Sequence, residues 1–164
     1  MPDPQVSLLL TLIDQAFDHR AWHGTNLRGS IRGLNAKDAA WRPARDRHNI
    51  WELVVHAAYW KYIVRRRILS EAKGSFPLKE SNWFVRPTGG KATEEEWKRD
   101  LKLLMEMHRG MREAISTLSD ADLKVKPKGS KVSNLTMITG IASHDLYHAG
   151  QIQLLKRLLP KRER

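Results

Sequence analysis

The chain of 164 residues contains no cysteine, which removes disulfides, zinc–thiolate sites, iron–sulfur clusters and cysteine nucleophiles in one step. Any metal ion must then be held by nitrogen and oxygen. Long apolar runs are missing too. The most apolar segments are interrupted by Glu52, Lys61 or His144, and none reaches the roughly 18–20 residues of a membrane span. The opening Met1-Pro2-Asp3-Pro4 lacks the positively charged start of a secretory signal, so a cytoplasmic protein without a membrane segment is the expectation. Nothing of useful length alternates with the strand period of two.

What is present is helical spacing. A first helix is predicted from about Pro4 to His23, with Val6, Leu9, Leu10, Ile13 and Phe17 inward and Gly24 as its stop. Gly29 and Gly33 mark a connection, followed by a short helical turn at Asn35 to Ala40. Asn49 with Glu52 three residues later has the pattern of a reciprocal cap and opens a second helix to about Ser70. Gly74, Pro77, Pro87, Gly89 and Gly90 then signal a long irregular segment. Thr93 and Glu96 open a third helix to about Leu118, and a fourth runs from Ser133 or Asn134 to about Leu159. Four helices of roughly 20–25 residues predict an all-α, single-domain four-helix bundle over residues 1–164, with a long connection between the second and third helices.

The 29 Lys and Arg against 18 Asp and Glu give a formal charge of +11, which raises the question of a polyanionic partner. The basic residues fall in separate groups: Lys61 with Arg65, Arg66 and Arg67; Lys124, Lys126, Lys128 and Lys131; Lys156, Arg157, Lys161, Arg162 and Arg164. That distribution favours a solvated basic surface over a nucleic-acid site.

The chemistry centres on histidines. His144 and His148 are four residues apart, so on a helix they stand above one another on one face and can grip one ion. Ile141, His144, His148, Ile152 and Leu155 form one stripe, which turns both imidazoles toward the core. His56 shares a face of the second helix with Leu53, Ala57, Trp60 and Val64 and is the candidate third ligand, because bundles build metal sites from facing helices. His19 and His23 are also four apart, but near a predicted helix C-terminus the dipole accounts for both. His48 and His108 are read as structural.

Two metal chemistries fail on spelling. The metalloprotease helix requires His-Glu-x-x-His, and here Asp145 follows the first histidine. Di-iron carboxylate bundles require Glu-x-x-His pairs, whereas Glu52 lies four residues before His56 and the fourth helix has no glutamate. A mononuclear site of three neutral imidazoles with open positions remains.

The segments Trp22-His23-Gly24, Asn49-Ile50-Trp51-Glu52-Leu53-Val54-Val55-His56-Ala57-Ala58-Tyr59-Trp60 and His144-Asp145-Leu146-Tyr147-His148-Ala149-Gly150-Gln151-Ile152 resemble the DinB-like superfamily of damage-inducible and YfiT-like proteins. The resemblance implies a four-helix bundle holding a divalent ion, nickel, zinc, iron or manganese, through His56, His144 and His148. It also implies a homodimer, and a metal-dependent transferase acting on a small molecule, with a low-molecular-weight thiol such as bacillithiol or mycothiol as partner. His23, Trp60 and Gln151 are the candidate pocket or buttressing residues, and no general base is identified. The competing readings are a metal-holding or stress-response protein without turnover and, less favoured, a basic nucleic-acid binder.

Overall fold

The computed structural model describes residues 3–160. Among them there are six helices and no strand: α1 (Pro4–Phe17), α2 (Leu27–Ile31), α3 (Ala36–Ala40), α4 (Ile50–Ile68), α5 (Glu94–Ser116) and α6 (Asn134–Leu158). Single 3₁₀ turns at Gly89–Lys91 and Asp122–Lys124 interrupt the connections before α5 and α6. The first four N–H groups of a helix lack partners within it, and a side-chain oxygen just before the helix supplies one. Asn26, Asn35, Asn49, Thr93 and Ser133 each do so, for α2 through α6. At α4 both halves of the predicted reciprocal cap form, Asn49 accepting from Glu52 N–H and the Glu52 carboxylate from Asn49 N–H.

α4 packs against α5 on one side and α6 on the other, α1 lies against α6 and α5, and α2 covers the far end of α6. Every residue from Ile50 to Ala58 is buried, so the first half of α4 has no solvent face. Its apolar circumference is that of a helix enclosed by neighbours rather than of a surface helix. Trp51 and Trp97 meet edge to face in this core, with centroids 5.3 Å apart. The predicted inward stripe of α1, Val6, Leu9, Leu10, Ile13 and Phe17, is buried throughout.

Three expectations change. α1 ends at Phe17, not near His23: Asp18 follows, an acid at the negative end of the dipole, and its carboxylate turns to His19 Nδ1 and Arg28. His19 and His23 thus lie beyond the helix, and its dipole is not what places them. The Gly29 segment, read as a connection, is the helix α2, whose cap brings Asn26 Oδ1 to within 3.0 Å of where a Cβ on residue 29 would sit. Lys61, grouped with the basic surface, is fully buried and paired with Asp145 of α6. Lys161, Arg162 and Arg164 lie outside the described residues.

The long segment between α4 and α5 is tied down at both levels of chemistry. Phe76 and Phe84 are buried against Tyr59 and Tyr62 of α4. Arg86 ion-pairs at 2.7 Å with Asp100 of α5, whose same oxygen accepts the Trp51 indole N–H at 2.6 Å. This anchoring places Asn82 and Trp83 over the middle of α4.

Candidate metal centre

α4 and α6 run antiparallel where they meet, so that His56 faces His144 and His148 while Lys61 faces Asp145. Both helices are long and capped at the start, and the i,i+4 spacing on α6 stacks its two imidazoles on the side turned to α4. The three rings point their Nε2 atoms at one another. His144 Nε2 lies 3.1 Å from His56 Nε2 and 3.1 Å from His148 Nε2.

The remaining nitrogens determine what those three atoms are. His56 Nδ1–H donates to the backbone carbonyl of Asn82 at 2.7 Å, and His148 Nδ1–H donates to Gln151 Oε1 at 2.6 Å. A neutral imidazole has one N–H, so the Nε2 atoms of both His56 and His148 are bare acceptors. His144 carries one proton and can donate to only one of them, while its own Nδ1 is buried without a partner. At least one 3.1 Å nitrogen contact is therefore left without a proton to bridge it.

Protonation does not relieve this readily. Burial pushes His56 down to about 4, and burial together with the neighbouring imidazoles pushes His144 down to about 3. His148 is lowered as well, first by burial. All three are neutral at physiological pH, the form in which imidazole binds metal. Two nitrogens on one ion, each about 2.0–2.1 Å from it, sit roughly 3.0–3.4 Å apart, so the donors fit a metal ion in identity, tautomer and spacing. Among the described residues no carboxylate joins the group.

The sequence pointed to these three residues and, beside them, to Trp60 and Gln151, but not to the parts played by Trp83, His48 and Asn82. Trp83 stacks on His56 at 3.9 Å and on His48 at 3.6 Å, with planes within 8° and 5°; two imidazoles that close to one indole must occupy opposite faces. His48, read as structural, also reaches Glu52, itself held by Arg42. Asn82 has φ 67°, a left-handed conformation that asparagine tolerates better than most residues. Its carbonyl holds His56 while its side-chain oxygen accepts the Trp60 indole N–H at 2.9 Å. A backbone carbonyl in an aperiodic segment leaves no mark in a hydropathy pattern; the adjacent Asn82-Trp83 pair was the only local signal.

The other candidates separate clearly. Gln151 touches His148, and Trp60 is edge-on to both His56 and His144, with centroids 6.4 Å away. His23 is exposed and does not join the group. Asp145 turns to Lys61 and not to the cluster, and Tyr147 is 65% exposed. Next to the cluster a cleft of about 180 Å³ opens between α4 and α6, with His144 in its wall.

No described helix is long and apolar enough to cross a membrane. No curated protein and no solved structure matches the chain. A model of the DinB superfamily matches residues 19–152. That match runs from the turn after α1 into the last turns of α6 and takes in all three clustered histidines, and on it the chain belongs to the DinB superfamily.

Proposed function

We propose that His56, His144 and His148 hold one divalent metal ion, of the nickel, zinc, iron or manganese class, and that the chain is a metal-dependent transferase for a small molecule, with a low-molecular-weight thiol as the donor. The observation that carries the metal is the converging set of three Nε2 atoms, two of them deprotonated by the bonds that Asn82 and Gln151 make behind them. When bound, an ion with open positions lowers the pKa of a thiol or water and polarises a carbonyl. The rest is done by the chain. Asn82 and Gln151 hold two rings in the ligand tautomer, and outer partners of this kind typically contribute 10–100-fold in metal affinity. Trp83 and Trp60 wall His56 with apolar surface. Three protein ligands instead of four are the pattern of catalytic rather than closed structural sites, which favours turnover over a purely structural ion.

The test is metal analysis of untagged protein beside His56→Ala, His144→Ala and His148→Ala. One ion per chain in the parent and loss in each variant is expected. Substoichiometric metal unchanged by all three substitutions would sink the reading. Assay of the loaded protein with a thiol and an electrophilic acceptor then separates the transferase from a metal-holding protein, and mass determination in solution checks the homodimer.

A further inference from the structure

The cleft beside His144 is lined by Trp60, Ile63, Val64 and Arg67 from α4 and by Met137, Gly140, Ile141 and His144 from α6. Its walls are apolar except at two places. His144 stands at one end opposite Trp60, and Arg67 stands at the other, since the antiparallel helices set Arg67 and Val64 against Met137 and Ile141. From Trp60 to Arg67 is seven residues of α4, about 10 Å along the axis.

Arg67 is the odd member. Its guanidinium makes no ion pair among the described residues, and its Nε is buried with no hydrogen-bond partner. Its neighbour Arg65 is paired with Glu71 through two hydrogen bonds at 2.8 and 2.9 Å. No acidic residue lines the cleft; Trp60, Ile63 and Arg67 are shared with the wider groove of about 910 Å³, which contains Glu71 and Glu80, neither of them paired with Arg67. A partly buried, unpaired arginine at the border of an apolar slot is matched by an anion with an apolar body. The volume lies below the roughly 300–1,000 Å³ of drug-sized sites, so the occupant is small.

We propose that this cleft binds a small amphipathic carboxylate, with its anionic head on Arg67 and its apolar chain running between Ile63, Val64, Met137 and Ile141 toward His144. That this molecule is the substrate rests on the metal-site reading; that it binds does not. Gly140 supplies the control. A Cβ built there meets nothing within 4 Å, so Gly140→Leu projects into open space from a helical position where losing glycine favours the helix.

The experiment is calorimetric titration of the full chain, freed of metal with a chelator, with octanoate and with 1-octanol. Octanoate saturates one site and binds at least about tenfold more tightly than the alcohol, because a charge-assisted pair with Arg67 is lost in the alcohol. Arg67→Met lowers octanoate affinity by about tenfold and leaves the alcohol unchanged. Gly140→Leu abolishes binding of both with the melting temperature retained or raised, and Gly140→Ala keeps binding. Failure of octanoate to saturate the parent chain, equal affinity for acid and alcohol, or indifference to Arg67→Met would overturn the proposal. So would a Gly140→Leu chain that loses a dimer present in the parent while octanoate never binds, which would make the cleft an interface between copies. Because binding is read without metal, a chain that takes octanoate but no metal refutes only the histidine reading, and one that takes metal but no octanoate refutes only this one.

Discussion

α4 and α6 are joined by two polar contacts barely more than a helical turn apart, and the two are built on opposite principles. Lys61 and Asp145 are both fully buried, opposite in charge and hydrogen-bonded to each other. His56, His144 and His148 are alike, neutral and short of protons. The ion pair supplies its own partner; the imidazole cluster turns three Nε2 atoms to a common centre, two of them bare, with no carboxylate among the described residues to join them. Burial shifts the titration of both toward neutrality, lowering Lys61 and raising Asp145 as it lowers the histidines. For the ion pair that is a cost offset within the pair. For the histidines it is what keeps them competent as ligands.

The contrast is broken or kept first by Lys61→Met. Removing one member strands a buried charge, and costs of about 3–5 kcal/mol are usual for that loss. Urea unfolding of the metal-free chain reads it directly. The double variant Lys61→Met with Asp145→Leu recovers most of the loss, since a packed apolar pair of similar volume needs no partner. His144→Ala in the same metal-free chain costs less than Lys61→Met, because it strands no charge and at least one of the two nitrogen contacts it removes lacks a bridging proton. A Lys61→Met chain as stable as its parent would mean the pair is not what holds this level of the two helices.

Metal adds to the cost of His144→Ala and not to that of Lys61→Met. An ion that binds only the folded chain adds about 2.7 kcal/mol at a hundredfold excess over its Kd. The parent and Lys61→Met chains therefore gain in melting temperature on adding metal, while His144→Ala gains nothing. Gln151→Leu falls between them, with affinity lowered 10–100-fold, the range for a lost partner behind a ligand. An equal gain in all four would show that the ion binds elsewhere.

The same contrast separates what was legible in the sequence from what was not. The three histidines could be brought together from spacing alone, because i,i+4 on one helix and an inward position on another are local properties that packing preserves. The caps at Asn49 and Thr93 were legible for the same reason. Lys61 was not, because a lysine is read as solvated unless its partner is known, and Asp145 lies 84 positions away. The end of α1 was missed because apolar spacing says nothing about an acid at the negative end of the dipole. α2 was missed because Gly29, a helix-weakening residue by propensity, is there for the close approach of its cap. Asn82 acts through a carbonyl held in place by Arg86, Phe76 and Phe84, so its role follows from tertiary anchoring that no window of sequence contains.

His108 gives the smallest effect and sharpens the comparison, being a buried imidazole with neither a charged partner nor other imidazoles to share an ion. It stacks on Phe17 at 3.6 Å, and its Nδ1 is buried without a partner. Burial, then the cations Lys61 and Arg112, push it down to about 2. The folded chain therefore resists protonating His108, while the unfolded chain takes a proton near 6.5. Stability from this residue is fully present above about pH 6.5 and is lost as pH falls toward 2, at about 1.4 kcal/mol per unit. Between pH 7 and pH 5 the loss attributable to it is about 2 kcal/mol. His108→Leu keeps an apolar group on Phe17 and removes the titration, so urea midpoints at the two pH values converge by that amount relative to the parent. In the metal-free chain His56 and His144 contribute with the same sign, and part of the acid sensitivity survives in His108→Leu. In the metal-loaded chain the folded state holds those nitrogens deprotonated, so metal in excess raises the stability of His108→Leu at both pH values and leaves its acid sensitivity at least as steep as without metal. Parent and variant with the same pH dependence would mean that His108 titrates in the fold as it does in the unfolded chain, and that burial on α5 is not enough to hold an imidazole neutral.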